Sequence, residues 1–596
     1  MFWEAWLTLV VVLAVLIALV RELAGADAVL TSGLVAIVAV GEFSGSERLP
    51  TIEQAIAGLG NPGLATVGVL FVVVAGLTHT GAMQGLAGPL AGRSDSVRSL
   101  QFRLMLPVVG LSAFLNNTPV VAMFLPVVED LSKRTKVSAS KLYLPMAYAA
   151  TFGGVCTLVG TSTNLVVNGL WIDRGGGTGL QMFDLAWVGV PCAVACIVLL
   201  LWLSPKLLPD RSPPLQVAES SRRYFVDMIV TADGPIAGRT IEDAGLRGLS
   251  DLFLVEVERE GRLLPAVRRR EKLLAGDRLS FVGAINSIVE LQQLGGLRPT
   301  ESDESPTING RRQLIEAVVS DRCPLVGKTI REGQFRAFYD AVVVAIARGA
   351  ERMTGKLGDV ELRPGDTLLL EAGGDFLDRF RHSADFFLVS DVDEMANLRT
   401  RRAPIAIAIL IAMVAVSALG WCQLLTAACI AAVAVVALGC CTATQARESI
   451  DWSLLVTIAA SLGIGLAIQE SGLADTLSTA IIGFAGSSPW LALTAVYLVT
   501  MVLTELITNN AAAVLVYPLA VSTAASLGVS EVPFIICIMI AASAGFATPF
   551  GYQTNLMVYG PGGYRFGDYL RLGIPLDLAF MAVTVSVTPW VFPFAK

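Results

Sequence analysis

Histidine is almost missing from this chain: only His79 and His382 occur in 596 residues, far apart in sequence. An imidazole-based hydrolytic centre or a histidine-rich zinc site has almost nothing to build on. Cysteine is present nine times, but never at zinc-ligand spacing, and eight of the nine sit in apolar stretches. They read as small helix fillers rather than as redox or metal groups. Charge is scarce as well. Asp, Glu, Lys and Arg make up 16% of the residues, and the net charge of −7 is spread thinly, which implies no nucleic-acid partner. The scarce charge is also segregated. Of 43 Lys and Arg, 29 lie between residues 205 and 403, 10 before and 4 after.

What fills the remainder is apolar. The chain is 54% hydrophobic, with a mean hydropathy of +0.66, more than a soluble globular protein carries. Several apolar runs reach the roughly 20 residues that cross a bilayer, and others are broken at their centres by Asn, Gly and Pro. The first run, Phe2 to Val20, holds Glu4 and has no basic start, so it reads as a retained helix and not a cleaved signal. The organisation expected is a membrane domain split by a soluble insert: 1–204, then 205–403, then 404–596. Lys206, Arg211, Arg222 and Arg223 follow the first half, and Arg399, Arg401 and Arg402 precede the second. These basic flanks predict a cytoplasmic insert in a multi-pass plasma (bacterial inner) membrane protein.

The two halves repeat one another. Ser112-Ala-Phe-Leu-Asn116-Asn117-Thr118 matches Thr504-Glu-Leu-Ile-Thr508-Asn509-Asn510 at an offset of 392, and Pro126 and Pro518 follow in register. Gly160-Thr161-Ser162-Thr163-Asn164 matches Gly551-Tyr552-Gln553-Thr554-Asn555 at an offset of 391. Thr80-Gly81 and Ser471-Gly472 form a fainter third pair. Paired interruptions of apolar segments in corresponding places are the sign of a two-repeat secondary transporter. Lipid cannot hydrogen-bond broken backbone, so Asn116-Asn117 and Asn509-Asn510 belong at the tips of re-entrant hairpins. If each half crosses an odd number of times, the repeats are inverted.

The insert repeats itself too. Gly238-Arg-Thr-Ile241 matches Gly327-Lys-Thr-Ile330, and Gly276-Asp277 matches Gly365-Asp366, both at an offset of 89. Alternating runs such as 252–257 and 341–346 read as strands, and Gly-Asp before a β-rich run suits a hairpin turn. Two α+β modules are expected, 216–297 and 305–391, joined by a polar linker over 298–312. No strand–Gly-x-Gly-x-x-Gly–helix unit is present, so no dinucleotide fold is expected.

Asn, Thr and Ser oxygens inside a membrane suit a hard monovalent cation such as Na⁺, while amide N–H groups and half-helix N-termini suit an anion. No Lys or Arg lies in the four motifs, so a bound anion would lean on dipoles, amides and co-bound cations. Glu505 stands opposite Ala113 in the repeat. An embedded carboxylate is a functional suspect, as a proton site or as a group anchored to backbone N–H groups.

These motifs resemble the divalent anion/sodium symporter (DASS) family, which carries Ser-Asn-Thr type hairpin tips and Gly-Thr-Pro-Pro-Asn type helix breaks. The chain is more similar to its sulfate-type branch, with Asn116-Asn117-Thr118, Thr508-Asn509-Asn510, Gly551-Tyr-Gln-Thr-Asn555 and Tyr559-Gly-Pro-Gly-Gly-Tyr564. The resemblance implies a helical membrane protein of two inverted repeats with re-entrant hairpins, an elevator-type homodimer and no enzyme. It implies a first Na⁺ site of Ser112, Asn116, Asn117 and Gly160, and a second of Thr504, Thr508, Asn509 and Gly551. The anion, with sulfate favoured, would touch Asn117, Thr118, Thr161, Ser162, Asn509, Asn510, Tyr552 and Gln553. The insert modules resemble TrkA C-terminal (RCK-C) domains, which implies regulation by a small ligand or nucleotide, or dimerisation. Alternatives that stay open are a Na⁺/dicarboxylate symporter and a proton-driven exporter of arsenite or silicic acid. A channel gated by the insert and a membrane-anchored sensor fit the duplicated Asn motifs less well.

Overall fold

The computed structural model describes residues 2–595 apart from 22, 83–95, 136, 176, 178, 212–222, 233, 245, 247–251, 260–261, 265–270, 285–295, 300–311, 321, 350, 354–356, 374–375, 381–382, 384 and 392–401. Arg222, Arg399, Arg401, His382 and most of the 298–312 linker lie outside the described residues. The chain divides into two compact units. One holds Met1–Asp210, Ala396–Val558 and Tyr564–Lys596; the other holds Arg211–Met395 with Tyr559–Gly563.

The first unit is helical. Its main helices before the insert are α1 (Trp3–Val20), α2 (Ala26–Ser44), α3 (Pro62–His79), α4 (Val97–Ser112), α5 (Asn117–Arg134), α6 (Tyr143–Gly154), α7 (Ser162–Asp173) and α8 (Ala186–Leu207). After the insert come α9 (Ala403–Ala418), α10 (Leu424–Ala437), α11 (Trp452–Glu470), α12 (Leu473–Ala485), α13 (Pro489–Leu506), α14 (Asn509–Ser526), α15 (Val532–Ser543), α16 (Gln553–Tyr559) and α17 (Phe566–Val591). Among the described residues seven helices are long and apolar enough to cross a membrane: α1, α2, α3, α8, α11, α13 and α17.

Local chemistry sets the boundaries. Asn61 caps α3, its Oδ1 accepting from the Gly63 and Leu64 N–H groups at 2.9 and 3.2 Å, with Pro62 in the first turn. Burial then sorts the helices. Every residue of α6, and every residue of α15 after Val532, is buried, as expected for helices apolar on all sides at the centre of a bundle. By contrast α8 leaves Trp187, Val194, Val198 and Trp202 exposed, an apolar face suited to lipid. The hairpins pack inward: α4 and α5 lie on α6, and α13 and α14 lie on α15. Their second arms begin at Asn117 and Asn509, and the helices after the breaks begin at Ser162 and Gln553. These starts keep the sequence offsets of 392 and 391.

Among its described residues the second unit holds β1 (Arg223–Val230), β2 (Leu252–Arg259), β3 (Arg262–Leu264), β4 (Arg278–Ala284), β5 (Leu297–Pro299), β6 (Arg312–Val319), β7 (Ala341–Arg348), β8 (Glu351–Arg352), β9 (Thr367–Gly373) and β10 (Phe386–Asp391) in two five-stranded antiparallel sheets, ordered β3-β2-β4-β1-β5 and β10-β6-β9-β7-β8. The strands that match across them are β1 (Arg223–Val230) with β6 (Arg312–Val319), β2 (Leu252–Arg259) with β7 (Ala341–Arg348), and β4 (Arg278–Ala284) with β9 (Thr367–Gly373). Register is kept: Ile229 faces Arg278, and 89 positions on Val318 faces Thr367. Gly276 and Gly365 take φ of +89° and +81°, which a side chain would resist. Both Gly-Asp turns lead into a central strand, but neither closes a hairpin. Their aspartates have another use. Arg259 grips Asp277 through two hydrogen bonds of 2.9 and 2.8 Å, and Arg348 grips Asp366 at 2.7 and 2.8 Å. Both carboxylates are buried, so each planar guanidinium fork supplies a charge that the sheet interior otherwise lacks.

Candidate functional site

The site assembles inside the first unit from two hairpin tips and two helix breaks. In the first half the Ser112 hydroxyl donates to Asn117 Oδ1 at 2.5 Å. In the second, the single Thr504 hydroxyl proton is shared between Asn509 Oδ1 at 3.1 Å and the Ala542 carbonyl at 2.5 Å. Each tip is tied to its own break by a threonine. Thr157 Oγ1 donates to the Ala113 carbonyl and accepts from the Gly160 N–H at 3.2 Å. Thr548 Oγ1 donates to the Glu505 carbonyl at 3.4 Å and accepts from the Gly551 N–H at 2.9 Å. Each break is braced by its asparagine. The Asn164 amide donates to Gly154 and Thr157 carbonyls at 3.3 and 2.9 Å, and the Asn555 amide to Gly545 and Thr548 carbonyls at 2.8 and 3.1 Å. The broken backbone is thus satisfied by side chains of its own half.

The halves then meet crosswise. The first tip touches the second break: Asn117 Nδ2 donates to the Tyr552 hydroxyl at 2.5 Å, and Thr118 Oγ1 to Gln553 Oε1 at 3.3 Å. The second tip touches the first break: Ser162 and Thr163 hydroxyls donate to Asn510 Oδ1 at 3.3 and 3.1 Å. Thr161 Oγ1 lies 3.4 Å from the Tyr552 hydroxyl, which the Asn509 side chain also engages. Six of the eight expected anion contacts therefore converge on two clusters, around Tyr552 and around Asn510; Thr118 and Gln553 close the rim.

Space is tight behind these groups. A Cβ on Gly154 would sit 2.7 Å from Asn117 Oδ1, and one on Gly160 would sit 2.9 Å from the Ser112 carbonyl. A Cβ on Gly551 would sit 2.7 Å from Glu505 Oε2. The glycines let backbone and side-chain oxygens approach one another.

Two expected residues stand apart. Thr508 is exposed, and Asn116 lines an apolar cavity with Val67, Phe71, Phe114, Pro119 and Leu165. Both are helix N-caps, as is Thr161, and none of the three side chains caps its helix. The N-terminal N–H groups of α5, α7 and α14 are left without that internal acceptor.

Thr157, Thr548, Gly154 and Asp577 belong to the site but escaped the sequence motifs, while Thr163 lies within a motif but was not among the expected contacts. Thr157 and Thr548 lie three residues before the matched glycines at the same offset, so a longer repeat comparison finds them. Asp577 is an acid in an apolar run, buried on α17 within electrostatic reach of Glu505. Glu505 Oε1 accepts from the Ala547 N–H at 2.8 Å. Its Oε2 and Asp577 Oδ1 are buried and receive no N–H donor among the described residues, and the two carboxyls lie within hydrogen-bond reach of one another.

Na⁺ fits this donor set. Among the described residues Asn164 Oδ1 and Asn555 Oδ1 are buried and receive no hydrogen-bond donor, in both halves alike. With the Ser112, Asn117, Thr504 and Asn509 oxygens they make an oxygen-rich lining of the kind a hard cation takes.

A buried, duplicated polar site in a bundle of apolar helices defines a polytopic helical membrane transporter. The sequence profile described as "Citrate transporter" matches residues 3–532 and 464–595, and the chain belongs to that family of transporters, in keeping with its divalent anion/sodium symporter motifs. A Chlamydomonas reinhardtii protein named as a sulfur deprivation response regulator is 36% identical, covering 90% of this chain and 94% of its own length. An uncharacterized transporter of Synechocystis sp. is 30% identical, covering 98% and 97%. Sodium/sulfate cotransporter 2 of Chlamydomonas reinhardtii is 26% identical, covering 98% and 89%.

Proposed function

We propose that this protein is a Na⁺-coupled symporter of sulfate or a related divalent oxyanion. The observation that carries the reading is the crosswise closure of two half-sites, Asn117 on Tyr552 and Asn510 on Ser162. Such a site offers amide and hydroxyl donors and helix N-termini to an anion, with no Lys or Arg in the four motifs. Two groups of oxygens beside it would take Na⁺: Ser112, Asn117 and Gly160 on one side, and Thr504, Asn509 and Gly551 on the other, with the Asn116 and Thr508 side chains standing outside them. Bound Na⁺ supplies positive charge there, so cation binding precedes and strengthens anion binding. Coulomb attraction at 4 Å rises from about 1 kcal/mol in water to about 4 at an effective dielectric constant of 20. The names of the Chlamydomonas cotransporters support both ion and solute.

In the same reading the halves are inverted repeats with re-entrant hairpins, the carrier is a homodimer, and the hairpin-bearing part moves as an elevator. The insert is cytoplasmic, with two TrkA-C-like modules that regulate transport through a small ligand, a nucleotide or self-association. Proton coupling is the second reading, favoured by the buried carboxyls of Glu505 and Asp577. The deciding experiment is uptake of radiolabelled sulfate into proteoliposomes, with and without a Na⁺ gradient, with succinate, molybdate and arsenite as competitors. Uptake that ignores Na⁺ and follows a proton gradient rejects the first reading.

A further inference from the structure

The second unit contains five residues from far outside the insert. Tyr559–Gly563, the end of α16 and the turn after it, packs with Arg211–Met395. This stretch is Tyr-Gly-Pro-Gly-Gly, and Gly560 to Gly563 are buried. Buried loops are unusual because their backbone polar groups need partners. Here the Gly563 carbonyl accepts from Arg211 Nη1 at 2.9 Å. Gly560 sits against the Gly-Asp turn of the second module. A Cβ there would collide with Thr367 Oγ1 and lie 2.9 Å from the Gly365 carbonyl. Thr367 is the first residue of β9 and is itself buried. Tyr559 lies within electrostatic reach of Arg348, the residue that locks the same turn through Asp366. The loop is therefore seated on the best-braced point of the module.

We infer that this seat is the input through which the insert controls the carrier. α16 is seven residues long; it ends at Tyr559, in the seat, and begins at Gln553, the residue after Tyr552, whose hydroxyl Asn117 engages. A short helix passes an axial displacement from one end to the other without bending, because its backbone bonds close on themselves. Any event that shifts the β9 turn then shifts the second break, and the coupling acts on the anion site rather than on folding. The inference rests on the transport reading above.

The test is a disulfide. A Cβ on Gly560 would lie 3.4 Å from Thr367 Cβ, close to the spacing a disulfide takes. The full-length double variant Gly560→Cys/Thr367→Cys is reconstituted, oxidised, and assayed for sulfate uptake and for linked peptides of positions 367 and 560 by mass spectrometry. The expected result is a linked peptide and a fall in uptake of about tenfold, within the range of coupling between sites, reversed by dithiothreitol. The two single variants should show no redox response. Thr367→Ala, which loosens the seat without a new thiol, should change uptake while leaving the protein folded and Na⁺-dependent. Folded double variant without the linked peptide overturns the seat. A linked peptide with unchanged uptake overturns the control. Wild-type protein that fails to take up sulfate rejects the function and leaves the linked peptide to be read by itself.

Discussion

The Asn117 amide donates to the Tyr552 hydroxyl at 2.5 Å, across 435 positions of sequence. This one contact joins the tip of the first hairpin to the break in the second half. It makes the two duplicated arms into a single site, and most of what can be tested follows from it.

Asn117→Ala and Asn509→Ala should each abolish Na⁺-driven sulfate uptake while the protein still inserts and purifies. Asn117 is fully buried, and its loss leaves the Ser112 hydroxyl without its acceptor and takes one of three partners from the Tyr552 hydroxyl. Each unsatisfied buried polar group costs about 1–3 kcal/mol, so a loss of roughly a hundredfold in uptake is expected. Normal uptake by either variant removes the site.

Tyr552→Phe keeps the ring and removes the hydroxyl shared by Asn117, Thr161 and Asn509. The apparent KM for sulfate should rise about tenfold, the cost of one lost hydrogen bond to a charged ligand network, with thermal stability little changed. A change in stability alone, with KM intact, would make Tyr552 a packing residue.

Gly154→Ala places a methyl 2.7 Å from Asn117 Oδ1. Overpacking of this kind costs about 1–3 kcal/mol. Uptake should fall with a lower melting temperature, and Ser112→Ala should not restore it. A fully active Gly154→Ala would show that Asn117 has room to move without consequence.

Glu505→Gln should retain most uptake and its Na⁺ dependence, because a glutamine Oε1 still accepts from the Ala547 N–H. Loss of uptake in this variant, together with a proton-gradient requirement in wild type, transfers the coupling to the Glu505 and Asp577 carboxyls.

Arg348→Ala removes both hydrogen bonds to a fully buried Asp366. Breaking such a pair from one side costs about 3–5 kcal/mol. The second module should become sensitive to limited proteolysis in the full-length protein, and Arg259→Ala should do the same for the first. Unaltered proteolysis would mean that the guanidinium forks are dispensable.

Much of this was readable in one dimension. The offset of 392 between Asn117 and Asn509, and of 89 between Asp277 and Asp366, survives in the structure as matched helix starts and matched strand register. Repeats are legible because each copy must satisfy the same local geometry, so it keeps the same glycines and caps. Apolar run length marked the membrane helices for a similar reason: lipid imposes the same demand on every one of them.

The crossing of the halves was not readable. Nothing in the order of residues says that Asn117 reaches Tyr552 rather than Thr161 in its own half, or that Asn510 turns to Ser162. Thr157 and Thr548 hid for another reason, since a threonine in an apolar helix usually bonds its own turn. Asp577 is one carboxylate in a long run, and only packing brings it toward Glu505. Composition and spacing determined that this chain is a membrane transporter with duplicated motifs and a repeated, strand-rich insert, because hydrophobic length and local turns are properties of short segments. Which side chains share a site was decided by the tertiary structure, because long-range partners are chosen by how buried helices pack and not by their distance along the chain.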